Sequence, residues 1–219
     1  MGLAHSPRIV TDGLVLALDA GNTKSYPGSG TAWTDTVGGN IGTLTDGPTF
    51  NSANGGSIVF DGTNDQINCG SSDDFAFGTG DFAIEFWFNA DSGGGIISIS
   101  PSGGNATTNW QIRYSSSKIR WIYSDTSVIE SSTLSTGQWF HVVSTRSGTA
   151  LTLYINAVSE ATGTSSANLS DTGVLRIGRN RDGISHFGGK IAQVKIYKGK
   201  ALTAAEVAQN YNALKGRYA

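Results

Sequence analysis

The sequence predicts an all-β fold in which two antiparallel sheets pack as a sandwich. The clearest observation is the segment 138–158, QWFHVVSTRSGTALTLYINAV, in which two strand-forming runs flank a turn expected at 146–149. Turn residues recur about every 8–15 positions, which is typical of a sandwich and disfavours βαβ units. The 30 glycines follow no collagen-like period and, with abundant Ser, Thr and Asn, suit short strands joined by tight turns.

The other strands are predicted from runs of apolar or alternating residues. A continuous apolar run at 14–18 indicates a buried strand. The runs at 57–60 and 65–69 flank the turn sequence DGTN and predict a second hairpin. The strongest strand of the first half is FAIEFWF at 82–88. Further strands are predicted at 95–99, 109–114, 118–123, 174–177 and 191–197.

Alternation in the 109–114 and 118–123 strands predicts a sheet with one buried and one solvent-facing side. The apolar residues of both strands, including Trp110 and Trp121, share one face and are expected to be core. The polar residues Gln111, Arg113 and Arg120 share the opposite face, which we expect to contact water.

One helix is predicted, and it lies near the C-terminus. Thr203 and Glu206 fit a capping box, and an apolar stripe at i, i+4 and i+7 begins at Val207. Gly216 stands where a helix-terminating glycine is expected. The predicted organisation is an N-terminal arm at 1–12, a sandwich at 13–200 and a helix packed on the sandwich at 201–219.

Composition limits the classes of partner and compartment. The formal net charge is −2 and no basic run occurs, so nucleic acid is not an expected partner. The single cysteine, Cys69, excludes an internal disulfide framework and is expected to be a small buried residue. No apolar stretch approaches the roughly 20 residues that span a bilayer, and the N-terminal segment lacks the apolar region of a secretion signal. We therefore expect synthesis in a cytoplasm.

An ordered set of six segments resembles the concanavalin A-like, laminin G-like family. The resemblance covers most of the chain and implies a jelly roll of two antiparallel sheets, one concave and one convex. It also implies a binding role, because only some branches of the family catalyse. The segments are FDGTND (60–65), DFAIEFWFNA (81–90), the 138–158 hairpin, IGRNRDG (177–183), FGGKIAQVKIY (187–197) and ALTAAEVAQNYNAL (201–214).

The two ends of the chain are similar to laminin G-like structural proteins of tailed phages, marine cyanophages among them. The similarity rests on the segments 5–35 and 210–219. It implies a virion structural protein, either a capsid-surface decoration or a tail or fibre component. The expected partners are capsid or tail subunits, a second copy of the chain and host-surface glycans. The 1–12 arm and the C-terminal helix are the expected attachment elements.

No catalytic residues are predicted. The resembling fold also hosts retaining glucanases, which carry their carboxylates on one strand as Glu-x-Asp-x-Glu and need two of them roughly 5–5.5 Å apart. The chain has four Glu, at 85, 130, 160 and 206, and none has a second Glu nearby. The three His, at 5, 141 and 186, lack a spaced set of partners for zinc or for a catalytic triad. We expect a protein that is not an enzyme, with a glycoside hydrolase as the least favoured alternative.

Calcium is the one candidate cofactor. Domains of the resembling family often hold one Ca²⁺ at the sandwich rim through Asp, Asn and backbone oxygens, the ligands that this hard cation prefers. The same residue types are ordinary turn formers, and for the 61–65 loop we favour the turn. The candidate ligands are Asp35, Asp61, Asn64, Asp65 and Asp182.

Glycan binding is predicted for two regions rich in hydrogen-bonding groups. One is the polar sheet face, and the other is the 179–187 loop. A solvated sheet face and a protein-contact loop are the competing interpretations. The leading hypothesis is a virion adhesion protein, and the alternative is a stand-alone carbohydrate-binding lectin, with or without calcium. The candidate ligand-binding residues are Gln111, Arg113, Arg120, Arg179, Asn180, Arg181 and His186.

Overall fold

The fold consists of sixteen strands and one α-helix, in a computed structural model that describes residues 8–100, 109–124 and 126–218. Strand-forming runs of β-branched and aromatic residues alternate with Gly-rich and Asn-rich turns throughout these ranges. The elements are β1 (Leu14–Asp19), β2 (Ala32–Thr34), β3 (Ile41–Thr45), β4 (Thr49–Asn51), β5 (Ser57–Asp61), β6 (Gln66–Ser71), β7 (Phe82–Ser92), β8 (Gly94–Ser100), β9 (Trp110–Ser115), β10 (Lys118–Tyr123), β11 (Thr126–Glu130), β12 (Trp139–Ser147), β13 (Ala150–Ile155), β14 (Val158–Thr164), β15 (Val174–Ile177), β16 (Gly188–Lys198) and α1 (Ala204–Leu214).

The strands form two eight-stranded sheets. Sheet A has the order β14-β13-β12-β7-β16-β5-β4, with β1 also paired to β16. Sheet B has the order β11-β10-β9-β8-β15-β6-β3-β2. All strand pairs within the described ranges are antiparallel. The predicted all-β, two-sheet sandwich with one short C-terminal helix is confirmed.

The main core lies between the two sheets. Alternate residues of β7, including Phe86 and Phe88, pack there against Trp110 and Trp121 of sheet B. The predicted burial of both tryptophans is therefore confirmed. Cys69 is also buried in this core, and burial raises the pKa of its thiol to about 12, so the thiol is protonated and inert.

The 138–158 hairpin forms, with a tighter turn than the sequence predicted. Ser147 pairs with Ala150, so the turn consists of Gly148 and Thr149 alone, and Gly148 adopts the φ of +57° that favours glycine. The expectation that Arg146 belongs to the turn is wrong, because Arg146 pairs with Leu151 inside the ladder.

The Arg146 side chain is fully buried at one end of sheet A. Its guanidinium donates hydrogen bonds to the carbonyl oxygens of Gly78 at 2.8 Å, Gly80 at 2.6 Å and Ala167 at 2.8 Å. A single buried cation thus binds three loop carbonyls, one of which, that of Gly78, also accepts a hydrogen bond from the Leu169 amide.

The C-terminal helix packs on the outer face of sheet A, the face turned away from the core. The predicted capping box is present, with the Glu206 amide donating to Thr203 Oγ1 at 3.3 Å and the Thr203 amide donating to Glu206 Oε2 at 2.8 Å. Val207 is fully buried against the sheet. The helix passes into a 3₁₀ turn at Lys215–Arg217, so Gly216 lies within that turn and does not adopt a left-handed conformation.

The described part of the N-terminal arm packs on the same face. The Val10 amide donates to Asn210 Oδ1 at 2.7 Å, and the Tyr197 hydroxyl donates to the Val10 carbonyl at 3.1 Å. Residues 1–7 lie outside the described ranges, so an attachment role for the arm stays a prediction. Within those ranges, no helix is both long and apolar enough to cross a membrane.

Candidate functional site

The candidate site lies on the outer face of sheet B, where the 179–187 loop crosses the strands. The loop begins after β15, and Gly178 accepts a hydrogen bond from the Phe187 amide at 2.8 Å, which closes the loop at its base. The loop backbone lies directly on Gly95 of β8, because a Cβ atom at that position would lie 2.1 Å from the Asn180 nitrogen. The missing side chain of Gly95 therefore permits the loop to cover this part of the sheet.

Asn180 fixes the shape of the loop. Its Oδ1 accepts hydrogen bonds from the amides of Ile184 at 3.0 Å and Ser185 at 3.1 Å. Asn180 is 1% exposed, whereas Ile184 at the loop tip is 83% exposed. Asn180, which the sequence indicated as a ligand-binding residue, instead uses its side-chain oxygen within the loop.

Gln111 and Arg181 are buried beneath the loop. The Arg181 amide donates to Gln111 Oε1 at 3.4 Å, and Arg181 Nη1 donates to the Asn109 carbonyl at 2.6 Å. The expectation that Gln111 faces water is wrong, because the loop covers that part of the sheet and leaves Gln111 only 2% exposed. Both side chains anchor the loop to β9.

Arg113, Arg120, Arg179 and His186 are brought close together by backbone pairing. Arg120 pairs with Arg113 across β10 and β9, Arg113 pairs with Gly95, and His186 pairs with both Gly95 and Arg179. All four side chains are partly accessible to solvent. These sequence-predicted residues thus form a row across the sheet.

Within this row, the two arginines of β9 and β10 differ in their partners. Arg120 Nε lies 3.1 Å from Glu130 Oε2, a carboxylate that also pairs with Lys118. Arg113 Nη2 donates to Ser185 Oγ at 3.3 Å, a neutral acceptor on the loop. Ser185 therefore belongs to the same polar surface.

Arg176 and Gln66 complete the surface, and the sequence analysis did not single out either residue. Arg176 and Arg179 both donate to Gln66 Oε1, at 3.3 Å and 3.2 Å. Burial lowers the pKa of both guanidinium groups, and for Arg176 the neighbouring charge of Arg179 lowers it further, whereas the carboxylates of Asp182 and Asp46 partly offset the effect of burial on Arg179. We call Arg113, Arg120, Arg176 and Arg179 the arginine face.

The arginine face carries positive charge that the protein itself does not fully balance. In the described ranges, Arg113, Arg176 and Arg179 form no ion pair with a carboxylate. Two of these guanidinium groups share one amide oxygen. Guanidinium groups bind carboxylate and sulfate oxygens through paired hydrogen bonds, so this face suits an anionic ligand.

Asp35, a predicted calcium ligand, has a structural role in the fold. It is 4% exposed, and its carboxylate accepts hydrogen bonds from the amides of Ala17 at 2.8 Å, Val37 at 3.0 Å and Gly38 at 2.8 Å. These bonds join β1 to the turn after β2. The oxygens of Asp35 already have donors that a metal ion would need to replace.

Of the other predicted calcium ligands, Asp61, Asn64 and Asp65 share one loop, and Asp182 lies on another. Asp61 Oδ1 accepts from the Thr63 amide at 2.7 Å, a bond that lowers the pKa of Asp61 and is typical of an Asx turn. Asp65 Oδ2 accepts from the Asp61 amide at 2.9 Å, Asn64 is exposed, and Asp182 lies 3.6 Å from Arg181 Nε. Across the described residues, no group of three or more His, Cys, Asp or Glu side chains could hold a metal ion. Calcium binding stays a prediction.

The missed residues had a recognisable sequence signal. In β15, Leu175 and Ile177 are buried, so the intervening Arg176 must point to the outer face. The same alternation around Ile67 places Gln66 outward. The contact between them could not be predicted, because it depends on the pairing of β15 with β6, which lie about 110 positions apart.

Comparison with solved structures shows the same fold in three kinds of protein. The chain superposes on Trypanosoma rangeli sialidase in complex with sialic acid with a TM-score of 0.73 and 15% identity over 98% of this chain. It superposes on domain 4 of the extracellular arabinanase AbnA of Geobacillus stearothermophilus, in complex with arabinotriose, with a TM-score of 0.60 and 20% identity. It superposes on the binding domain of botulinum neurotoxin serotype G with a TM-score of 0.67 and 16% identity.

The coverage of these proteins differs. The chain spans 36% of the trypanosomal sialidase, 50% of the toxin binding domain and 98% of the arabinanase domain. In the superpositions on the arabinanase domain and on the toxin binding domain, 90% of this chain is aligned. No curated protein sequence matches the chain. A model of the concanavalin A-like lectin/glucanases superfamily, of laminin G type, matches residues 61–208, and the protein therefore belongs to that superfamily.

Proposed function

We propose that this protein is a non-enzymatic carbohydrate-binding module that binds acidic glycans through the arginine face. The observation that carries the proposal is the pair of half-buried guanidinium groups, Arg176 and Arg179, which share the single neutral acceptor Gln66 Oε1. A carboxylate or sulfate group of a glycan offers several charged acceptor oxygens at this position. It would also balance two like charges whose interaction is unfavourable in a partly desolvated site.

The structural neighbours support a carbohydrate ligand. Two of them were solved with a saccharide bound, arabinotriose in the arabinanase domain and sialic acid in the sialidase. The arabinanase domain is matched over 98% of its length, so a unit of this size exists as a separate domain next to a catalytic one. Arg113, Ser185 and His186 extend the arginine face beyond one sugar ring and supply donors for neighbouring hydroxyl groups.

The environment of the glutamates supports a role without catalysis. Glu85 is fully buried and bonded to Lys195, and Glu130 pairs with Arg120. Glu206 caps the helix, and Glu160 accepts from Ser132 Oγ at 2.8 Å. A retaining glycosidase needs two accessible carboxylates on one cleft. A glycoside hydrolase, the competing function, would release reducing sugar from β-glucans.

Binding of the isolated chain to a panel of sialylated, sulfated, uronate-containing and neutral glycans tests the proposal. We expect binding of acidic glycans, with an affinity that falls as the salt concentration rises. Each of Arg176→Gln and Arg179→Gln should weaken binding about tenfold or more, because each removes a charge-assisted donor. Lys24→Gln makes the same change in charge at an exposed loop position and should leave the affinity unchanged.

Two outcomes would contradict the proposal. Equal affinity for neutral and acidic glycans, unaffected by Arg176→Gln and Arg179→Gln, would assign binding to another surface. Absence of binding to every acidic glycan would remove the arginine face as a ligand site. A stand-alone lectin that requires calcium predicts, in addition, that EDTA abolishes binding.

We also propose that the module serves in a virion, as a capsid-surface decoration or a tail or fibre component. The support is the similarity of residues 5–35 and 210–219 to structural proteins of tailed phages. In a particle, many copies of a weak glycan site would act together and give a high avidity. Mass spectrometry of purified particles tests this role, since it requires the chain to be a stoichiometric component, and its absence from particles would contradict the role.

A further inference from the structure

A second concave surface lies on the opposite side of the sandwich from the arginine face. It forms where the end of the C-terminal helix and the following 3₁₀ turn fold over the outer face of sheet A. It encloses about 290 Å³, which is near the lower end of the range for small-molecule sites. We call it the C-terminal pocket, and its lining residues are Trp87, Trp139, Asn156, Tyr211, Lys215, Gly216 and Tyr218.

Aromatic rings form the wall of this pocket. Trp87 stacks on Tyr218 with ring centroids 4.2 Å apart and on Tyr211 at 5.7 Å. Trp139 leans against Tyr218 at 4.9 Å. Trp87 and Tyr218 are buried, whereas Trp139 and Tyr211 are half-buried and keep part of their rings accessible. The pocket therefore presents a rigid aromatic surface to solvent.

The polar groups around these rings are hydrogen-bond donors. Asn156 Oδ1 accepts from the His141 amide at 2.9 Å, which fixes the side chain and leaves its Nδ2 without a partner in the described ranges. The exposed Lys215 ammonium lies 5.5 Å from the Tyr211 ring centre. None of the described residues that line the pocket carries a carboxylate. Its polar groups thus suit a ligand that offers acceptor oxygens.

Two buried polar atoms of the wall also lack partners. Trp87 Nε1 and Tyr218 Oη belong to side chains that are 2% and 8% exposed, and neither forms a hydrogen bond within the described residues. Indole N–H and phenol O–H groups usually find a partner when they are buried. The buried indoles of Trp33, Trp110 and Trp121 likewise lack a partner within the described residues, so the surface that can meet a ligand consists of the accessible rings of Trp139 and Tyr211 and the Asn156 amide.

We infer that the C-terminal pocket binds a single pyranose ring of an uncharged glycan. A pyranose has a C–H face that packs on aromatic rings and a rim of hydroxyl oxygens that accept hydrogen bonds from donors such as Asn156 Nδ2 and Trp139 Nε1. The pocket volume suits one such ring. A purely apolar ligand would leave these donors unpaired, and a strongly anionic ligand would meet only the exposed Lys215.

This site is independent of the arginine face, because the two lie on opposite faces of the sandwich. No short oligosaccharide can contact both at once. A module with both sites would therefore join two glycan chains, or two parts of one long chain, and gain avidity from the pair. If one site proves not to bind a glycan, the proposal for the other site is unaffected.

Nuclear magnetic resonance of the intact chain tests the inference through its indole N–H signals. Methyl β-D-glucopyranoside, methyl β-D-galactopyranoside and N-acetylglucosamine are the probes. We expect at least one probe to shift the Trp87 and Trp139 signals saturably, with a dissociation constant on the order of 1 mM. The signals of Trp33, Trp110 and Trp121, which lie in the main core between the sheets and do not line the pocket, should stay in place and serve as internal controls.

Variants separate stacking from folding effects. Trp139→Ala should weaken binding about tenfold, and Trp139→Phe should restore most of the affinity because it keeps an aromatic face. Lys215→Ala alters an exposed side chain, so it should keep the fold and weaken binding a few-fold. Arg176→Gln should not change the affinity for these probes.

The inference is overturned if none of the probes shifts the Trp87 or Trp139 signal at concentrations on the order of 100 mM. It is also overturned if Trp139→Ala and Lys215→Ala both leave the affinity unchanged. A third contradictory result would be saturable binding of N-acetyltyrosinamide together with no response to the sugars. That result would assign the pocket to an aromatic side chain of a protein partner.

Discussion

The outer faces of the two sheets differ in whether their charged side chains have oppositely charged partners. On sheet A, the Glu85 carboxylate is fully buried and lies 2.8 Å from Lys195 Nζ, 3.1 Å from His141 Nε2 and 2.6 Å from Asn210 Nδ2. Asn210 comes from the C-terminal helix, which covers this cluster. The two buried charges of this cluster, Glu85 and Lys195, therefore lie beside each other.

On sheet B, the 179–187 loop covers only part of the face. Arg176 and Arg179 remain half-exposed and share the neutral oxygen of Gln66. On sheet A the buried Glu85 carboxylate has Lys195 as its counter-ion, whereas partial exposure on sheet B lets water solvate guanidinium groups that have no carboxylate partner in the described ranges. The outer face of sheet A is covered by the C-terminal helix, whereas the outer face of sheet B keeps positive charge that is available to the proposed ligand.

Among the substitutions that test this difference between the faces, Glu85→Gln is expected to have the largest effect on stability. Removing the negative charge leaves the Lys195 ammonium in a site that is only 5% exposed, without its counter-ion. We expect the free energy of unfolding to fall by about 3–5 kcal/mol, as measured by urea denaturation. The matched control is Glu160→Gln, an exposed position where the change should stay within about 0.5 kcal/mol. Equal losses for the two variants would show that the buried cluster does not stabilise the fold.

The decline in stability at low pH is expected to be smaller than the effect of Glu85→Gln. Burial alone would raise the pKa of Glu85, but Lys195 and His141 outweigh burial and hold the pKa well below its ordinary value of 4.5. The contribution of Glu85 is therefore fully present above the unfolded pKa and is lost as the pH falls towards the folded pKa. Urea denaturation between about pH 7 and pH 3 should show a decline in stability below about pH 5.

The same titration in Glu85→Gln isolates the contribution of this residue. The variant lacks the titrating carboxyl group, so its stability should decline less steeply below about pH 5 than that of the parent chain. Parallel curves for the two proteins would mean that other carboxyl groups account for the loss at low pH.

The smallest expected effect is that of Arg176→Gln on the arginine face. This guanidinium has a like charge beside it and no carboxylate partner in the described ranges, so its removal costs little. We expect the free energy of unfolding to change by no more than about 0.5 kcal/mol, measured by urea denaturation beside Glu85→Gln. A loss above about 2 kcal/mol would show that Arg176 serves the fold and would weaken its assignment to a ligand site.

Features that depend on local sequence pattern were predicted correctly. Alternation over two positions placed Trp110 and Trp121 in the core, and the capping box placed the start of the helix at Thr203. Both follow from backbone geometry within a few residues, namely the twofold alternation of a strand and the reach of a side chain to the first helical turn. The fold class follows from the same local patterns.

Which polar residues stay accessible depends on contacts between segments that are distant in the sequence. The alternation that placed Gln111 on the outer face was correct, yet a loop 70 positions away covers it. Arg146 was expected in a turn and instead lies buried, bonded to carbonyls as far as 68 positions away. The C-terminal pocket likewise joins β7, β12 and the last residues of the chain. The burial of a polar side chain depends on which distant segments pack against it. Local periodicity predicts the face on which a residue lies, but it does not predict which distant segment covers that face.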